Sequence, residues 1–305
     1  MKPRIVLAGG SGFIGQSLSP FLISKNYEVI LLTRAESDQR GALRKAHWDG
    51  KAPGDWIQFV NGAAAVVNLT GRSINCRHTS ENRREIIDSR VDSARVLGQA
   101  IERCAQPPQV FVQFAGVGIY GDKGERLCDE TTAPGDDFVA EVCQRWEAAF
   151  DSVDASKTRK VLLRLGVVLG PNGGFLEVLG RLTRWFLGGQ VGSGRQYISW
   201  IHITDLSRMV LAGVENQELT GTFNASSPNP VPNAEFMREL RRALHRPWSP
   251  PVPEFAARIG SWLMGTEASL ALVSQRGVPK RFLENGFEFE FPTLREALTN
   301  IFPNQ

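Results

Sequence analysis

Three glycines, Gly9, Gly12 and Gly15, follow a short apolar run at residues 5–8 and precede Leu18, Phe21 and Leu22 at helical spacing. Strand, tight turn and helix start, in that order, make a phosphate site. A glycine lets the backbone turn sharply or approach a ligand that a Cβ would exclude, and the free N–H groups and positive dipole end of the helix favour a pyrophosphate. The plainer reading is a Gly-rich turn between core elements; the position near the head of the chain and a second apolar strand at 27–32 favour the dinucleotide. Thr33 and Arg34 end that second strand, and Arg34 stands 19 positions after Gly15. An NAD site presents Asp or Glu here for the ribose 2′-OH, whereas a guanidinium grips a 2′-phosphate with two hydrogen bonds. NADP is therefore expected over NAD. The competing view is a solvated loop arginine, with Glu36 and Asp38 close by.

The elements that must position these residues alternate along the chain. Residues 63–69 form an apolar strand ending in Thr70-Gly71. A helix over 81–103 carries a stripe of Ile87, Val91, Ala94, Leu97 and Ile101, and Pro107-Pro108 stops it. Strands are predicted at 110–115 and from 161, with an acidic, polar loop at 122–137 and a helix over 138–150 between them. Residues 35–62 read as irregular and polar, with Trp48 and Trp56 anchoring a loop and a short strand. This alternation predicts an α/β fold, a Rossmann-type doubly wound parallel sheet. After residue 170 the texture changes. A glycine loop at 188–194, short strands at 199–203 and 222–226, and helices from Asp205 to Val214 and over 233–244, 253–264 and 293–301 are expected. The predicted division is a nucleotide-binding domain over 1–170, its sheet completed by segments near 199–226, and a smaller α-rich lobe over 171–305. That lobe would sit at the C-terminal edge of the sheet, where open α/β folds hold ligands.

Composition narrows the function classes. Hydrophobic residues are 42% and charged residues 22% of 305, with a formal net charge of +3, as in an ordinary globular protein. The densest basic pairs, Arg83-Arg84 and Arg241-Arg242, fall in amphipathic helical patterns, so a nucleic-acid partner is not expected. No apolar run has membrane-spanning length and no signal peptide precedes the first strand, so no membrane partner is expected. Cys76, Cys104, Cys128 and Cys143 include no CxxC pair and have no zinc-like spacing with histidines. Free thiols in a reducing, cytoplasmic compartment and no metal site are the expectation.

Longer stretches carry a family resemblance. Gly9-Gly-Ser-Gly12-Phe-Ile-Gly15 resembles the GxxGxxG turn of extended short-chain dehydrogenase/reductases, the NAD(P)-dependent epimerase/dehydratase superfamily. Residues 67–71 (VNLTG), 118–122 (GIYGD), 164–171 (RLGVVLGP) and 187–202 (LGGQVGSGRQYISWIH) resemble the YfcH-like epimerase family proteins. Residues 279–289 (PKRFLENGFEF) resemble the small C-terminal domain of unknown function of those proteins, placed at 250–300. The resemblance covers essentially the whole chain and implies a bound NADP. It implies cofactor contacts at Gly9, Gly12, Phe13, Ile14 and Gly15 of the turn, at Thr33 and Arg34, and at Leu69, Thr70 and Gly71. Arg90 replaces the Asn of an Asn-Val-x-Gly-Thr helix and would reach a cofactor phosphate or the site floor, or else lie on the surface. Glu85 would pair with Arg90 or a ribose. Val168 falls in the segment that packs beside nicotinamide through its main chain.

The catalytic set of those enzymes is missing. They need a Tyr to exchange a proton with substrate, a Lys four residues on to lower the Tyr pKa, and a Ser or Thr to orient the substrate oxygen. Tyr27, Tyr120 and Tyr197 are followed four residues on by Leu31, Gly124 and Ile201. Counting back from Trp146-Glu147, Val139 takes the Tyr position and Cys143 the Lys position; Ala115 or Gly116 takes the Ser position. Tyr120 is left as a weak catalytic candidate beside a structural reading. Cys143 is a nucleophile only with a basic neighbour, and otherwise a buried inert thiol. His202 reads as structural. Gly192-Ser-Gly-Arg195 reads as an anion site, a mobile lid, or both. Two functions stay open: an NADP-dependent oxidoreductase or nucleotide-sugar-epimerase-like enzyme acting on a small-molecule substrate, or a non-catalytic NADP(H)-binding sensor or scaffold.

Overall fold

The computed structural model describes residues 2–171 and 173–303. Its centre is β1 (Arg4–Ala8), whose residues 5–8 have no solvent exposure. β2 (Glu28–Thr33) and β5 (Ala65–Asn68) flank it, both parallel to it. Beyond β2 lie β4 (Leu43–His47) and then β3 (Asp38–Arg40) at the edge. Beyond β5 lie β6 (Val110–Gly116), β7 (Arg159–Leu165) and β11 (Gly221–Ala225). All neighbours in this eight-stranded sheet are parallel except β3 and β4. The chain moves outward from β1 through β2 to β4, then returns to β5 and moves out the other way. The reversal leaves a crevice at the C-terminal ends of β1 and β5, the switch point of a doubly wound sheet.

Continuous apolar runs make the central strands because helices cover both faces. α1 (Phe13–Ser24), α2 (Ser80–Glu102), α3 (Phe138–Asp151) and α5 (Ile203–Glu215) supply that cover. α2 starts where Thr79 accepts the Asn82 N–H, and α3 where Asp137 accepts the Ala140 N–H. These caps fix where each helix begins. α1 differs: Gly12 stands at its N-cap, with no capping side chain and no acidic residue in the first turn.

Two ladders lie outside the main sheet. β8 (Val167–Leu169) pairs with β10 (Trp200–His202), and β9 (Tyr197–Ile198) pairs with β12 (Val231–Pro232). α4 (Gly174–Arg184), α6 (Asn233–Ala243) and α10 (Leu294–Ile301) enclose a second apolar cluster around Leu169, Trp200, Phe236 and Leu298. α7 (Glu254–Leu263), α8 (Ser269–Leu272) and α9 (Lys280–Glu284) complete the C-terminal region. Buried Asp205 ties that region to α5 by accepting the N–H groups of Glu290 (2.8 Å) and Phe291 (3.0 Å).

Two regions differ from the sequence reading. Residues 35–62 hold an edge hairpin, β3 and β4, besides the short helical turn that buries Trp56. The mostly polar β4, exposed or half-exposed except at Ala46, carries the sheet outward without an apolar run to announce it. α4 is the second difference; its glycine-rich start obscures a helix that buries only Leu176, Gly180 and Thr183.

Candidate functional site

The glycine turn leaves the end of β1 and touches both neighbouring strands. Gly9 adopts φ +73° and its N–H donates to Leu32 O at 3.1 Å. A side chain at Gly9 would need the left-handed region and would press within 2.8 Å of Thr70 Oγ1. Gly15 is needed for close packing: a Cβ there would overlap the Gly10 backbone, so the first turn of α1 lies directly on the loop. At Gly12 a Cβ would meet only Gly9 O, at 4.0 Å. The position is open, at an uncapped helix start. This cradle fits an anionic phosphate, which backbone N–H groups and the helix dipole would hold.

Phe13 and Ile14 serve the turn through packing. The Phe13 ring fills the space left by three glycines: a Cβ at Gly170 would lie 3.0 Å from its Cζ, at Gly173 2.6 Å from its Cδ2, and at Gly174 3.2 Å from its Cδ1. Ile14 packs on the main core. Phe13 thus links the turn to the loop after β8, the strand in which Val168 pairs with Ile201.

At the end of β2, buried Thr33 is fixed by its carbonyl, which accepts the Trp48 N–H at 2.8 Å, and by its hydroxyl, which accepts the Ala35 N–H at 3.3 Å. Arg34 is exposed, and its guanidinium makes no hydrogen bond or ion pair among the described residues. Asp38 is occupied by Arg40 at 3.0 Å and by the Gln39 N–H at 2.8 Å. The acidic neighbour therefore does not neutralise Arg34.

At the end of β5, the Leu69 N–H donates to Ala8 O at 2.9 Å, and the Thr70 N–H to Asn68 Oδ1 at 3.0 Å. Asn68 is itself held by Ser93 and Gln113. Gly71 lies against Arg90, whose Cζ a Cβ at Gly71 would approach to 3.0 Å. Arg90 is buried rather than on the surface. It donates to Arg72 O and Ile86 O, each at 2.9 Å, and stacks over Trp146 at 4.9 Å. Burial pulls its pKa down to about 10. Glu85 does not pair with it as expected; Glu85 forms an ion pair with Arg72, which also holds Asn82. That pair leaves Arg90 without a carboxylate partner among the described residues.

The far end of the crevice lies between β6 and α3. Cys143 Sγ would be 3.5 Å from a Cβ at Gly116, and Val139 Cγ1 2.6 Å from one at Gly118. The Ser, Tyr and Lys positions of the resemblance thus come together in space without their chemistry. Cys143 is 5% exposed, and burial, with Glu147 adding to it, pushes its thiol up to about 12. Tyr120 is not presented to the crevice. It is 1% exposed, donates to Asn224 Oδ1 at 2.7 Å and accepts from Arg164 Nη1 at 3.1 Å. Burial raises it to about 12 against the opposing pull of Arg164. Arg164 in turn makes a two-pronged pair with Glu147, both contacts 2.8 Å. This network fastens the turn after β6 to β7, β11 and α3, with the Tyr120 hydroxyl taken up inside it.

His202 stands at the N-cap of α5. Its Nδ1 accepts the Thr204 N–H at 3.2 Å to cap α5, its ring lies 4.0 Å from Phe291, and burial lowers it to about 4. The 188–197 loop is tied down: Gly188 O accepts from Arg241, Asn233 Oδ1 accepts the Val191 N–H, and Gln196 Nε2 donates to Val191 O and Ala271 O. Sequence reasoning misses Gln275, whose carboxamide approaches Gly118 and makes no hydrogen bond among the described residues. Nothing in its local sequence signals this, because the approach is made from the C-terminal region.

A doubly wound sheet with an uncapped glycine turn at its switch point defines a nucleotide-binding α/β protein. The chain belongs to the NAD dependent epimerase/dehydratase family, whose model matches residues 5–226. Residues 252–301 match a second model, a domain of unknown function, DUF1731. Among relatives, the epimerase family protein YfhF of Bacillus subtilis is 32% identical over 302 residues, covering 98% of this chain and 97% of YfhF. The human epimerase family protein SDR39U1 is 34% identical, covering 98% of this chain and 99% of its own length. A crystal structure of its isoform 2 with NADPH has a TM-score of 0.87 and 32% identity, covering 99% of this chain and 100% of the human one.

Proposed function

We propose that this protein binds NADP(H) across the switch-point crevice and acts as an NADP-dependent oxidoreductase or epimerase-like enzyme on a small molecule. The observation that carries the proposal is the joint placement of the open, uncapped helix start at Gly12 and of Arg34, without a partner among the described residues, at the end of β2. Gly9, Gly12, Phe13, Ile14 and Gly15 would hold the pyrophosphate through main-chain N–H groups and the shape of the turn. Thr33 and Arg34 would take the 2′-phosphate end; Leu69, Thr70 and Gly71 would line the adenine-ribose side. Arg90, charged and without a carboxylate partner among the described residues, would face the site floor beneath Gly71, and Val168 would lie along the nicotinamide side. Glu85 keeps only an indirect part, because its pair with Arg72 steadies the loop after β5.

When bound, NADP(H) supplies a hydride donor or acceptor. The chain would supply position and an apolar wall: Val139 carries no polar atom and the Cys143 thiol is held neutral, so neither offers a titrating group. Any proton on a substrate oxygen is then exchanged with water rather than with a Tyr. The NADPH-bound human relative and the four thiols, none in a disulfide, support this reading and a reducing, cytoplasmic setting. The test is a fluorescence titration with NADPH, followed by turnover on carbonyl and sugar-nucleotide panels. Saturable NADPH binding with hydride transfer is expected, and failure to bind NADPH overturns the proposal.

Half-buried, apolar Val139 at the Tyr position and buried Cys143 at the Lys position favour a second reading, a non-catalytic NADP(H) sensor or scaffold. It predicts tight NADPH binding with no turnover and a change in partner capture on cofactor addition.

A further inference from the structure

Three side chains from two distant parts of the chain converge over Gly118. A Cβ built there would lie 2.6 Å from Val139 Cγ1, 3.6 Å from Gln275 Nε2 and 3.8 Å from Cys143 Sγ. Val139 and Cys143 come from α3 and occupy the positions where the family resemblance puts a proton-transferring Tyr and its Lys. Val139 has no polar atom, and the Cys143 thiol is buried and held neutral. Gln275 therefore brings the one strong hydrogen-bonding group of the three.

The main chain of Gln275 is fixed on both sides. Its N–H donates to Tyr197 O at 3.0 Å and its carbonyl accepts from Ser199 Oγ at 2.8 Å. Before it, Ser274 Oγ donates to Gly124 O at 2.5 Å; after it, Arg276 O accepts the Cys128 N–H at 2.9 Å. The segment is thus stitched to the loop after β6 and to β9. The carboxamide, in contrast, makes no hydrogen bond among the described residues, and the residue is half-buried. A polar group held in place by folding, with its own hydrogen bonds unspent, meets a ligand without much further ordering cost.

We infer that Gln275 is a substrate-contacting residue whose carboxamide hydrogen-bonds the oxygen of an uncharged carbonyl or hydroxyl group lying over Gly118. This rests on the proposed cofactor reading, which makes the α3 end of the crevice the reacting end. A carboxamide suits a neutral oxygen because it offers a donor and an acceptor, carries no charge and does not titrate. Gly118 and Val139 beside it offer a carboxylate no compensation for lost water. Arg90, whose charge acts on Cys143, already spends Nη1 on two carbonyls.

The experiment uses the full chain, saturated with NADPH, and a matched probe set: cyclohexanone, cyclohexanol and cyclohexanecarboxylate. The readout is the side-chain NH2 resonance pair of Gln275 in a 1H–15N correlation spectrum, identified by its loss in Gln275→Leu. Cyclohexanone or cyclohexanol is expected to shift the pair saturably. Gln275→Leu is expected to weaken that binding by roughly fivefold or more, the loss typical of one hydrogen bond, while NADPH affinity and the circular dichroism spectrum stay unchanged. The inference is overturned if no neutral probe moves the pair, if the carboxylate moves it as strongly, or if Gln275→Leu binds cyclohexanone as well as wild type. Failure of NADPH to bind wild type would instead strike the cofactor reading; the same spectra on cofactor-free protein then decide Gln275 alone.

Discussion

Gly12→Ser separates what the turn does for stability from what it does for a ligand. Gly12 has φ −78° and ψ 178°, extended angles that any residue adopts and that suit an N-cap. A Cβ there meets nothing closer than Gly9 O at 4.0 Å. The serine hydroxyl is well placed to accept the Ile14 or Gly15 N–H, as N-cap serines do, and replacing a capping Gly by Ser is worth a few tenths of a kcal/mol. For a domain of this size that raises Tm by about 1 °C. The same hydroxyl takes N–H groups that the pyrophosphate needs and fills the cradle. Losing one charge-assisted hydrogen bond costs about 1.5–3 kcal/mol, a weakening of NADPH binding of roughly tenfold to a hundredfold. Thermal unfolding without cofactor and a fluorescence titration with NADPH read the two effects side by side. A variant that is as stable as wild type and binds NADPH equally well refutes the assignment of the cradle. A variant that loses stability and binding together shows that the turn has no room for a side chain at Gly12.

Other outcomes follow from the buried groups. Arg164→Met breaks a pair whose side chains are only 10% and 12% exposed, so urea unfolding should show a loss of about 3–5 kcal/mol; Arg164→Met with Glu147→Leu should recover most of it, and a single-variant loss below about 1 kcal/mol would contradict the network. His202 is neutral in the fold down to about 4, whereas in the unfolded chain it protonates near 6.5. Its contribution is therefore fully present above the unfolded value and is lost as pH falls from there to about 4, a decline of at most about 3 kcal/mol. His202→Asn, which keeps a capping acceptor, should flatten that slope in urea midpoints taken across the window; an unchanged slope would place the titration elsewhere. Buried Cys143, like buried Cys128, should be alkylated by iodoacetamide at neutral pH only after half-exposed Cys76 and Cys104 in peptide mass mapping. Early labelling of Cys143 would mean that the α3 end of the crevice opens readily.

The parts of the fold legible in the sequence are those set by local chemistry. Apolar runs mark the central strands, and the glycine spacing marks the turn, because Gly9 answers a left-handed φ and Gly15 a contact with Gly10 in the same turn. β4 is illegible because a mostly polar strand next to the sheet's edge needs no apolar alternation; pairing with β2 on one side and β3 on the other holds it in place. The pairing of Glu85 with Arg72 and the burial of Arg90 cannot be read from spacing along α2. Arg72 lies on the loop after β5, and only the fold decides which of two arginines meets the acid. Tyr120 looks available at the end of β6, yet its hydroxyl is used by Asn224 and Arg164, which reach it from β11 and β7. Gln275 is the opposite case, an unremarkable residue that the C-terminal region carries to the place where α3 offers only Val139 and the buried Cys143 thiol.

The preference for NADPH rests on Arg34 as the reader of a 2′-phosphate, and paired titrations of wild type and Arg34→Asp with NADPH and NADH test it most directly. Wild type should bind NADPH more tightly than NADH. Arg34 is exposed, so the lower end of the range for a charged hydrogen bond applies, about 1.5 kcal/mol or roughly tenfold, and the preference should shrink with added salt. The variant should lose that margin on NADPH while holding or improving NADH. Equal losses on both cofactors, or a wild type indifferent to the phosphate, would contradict that role.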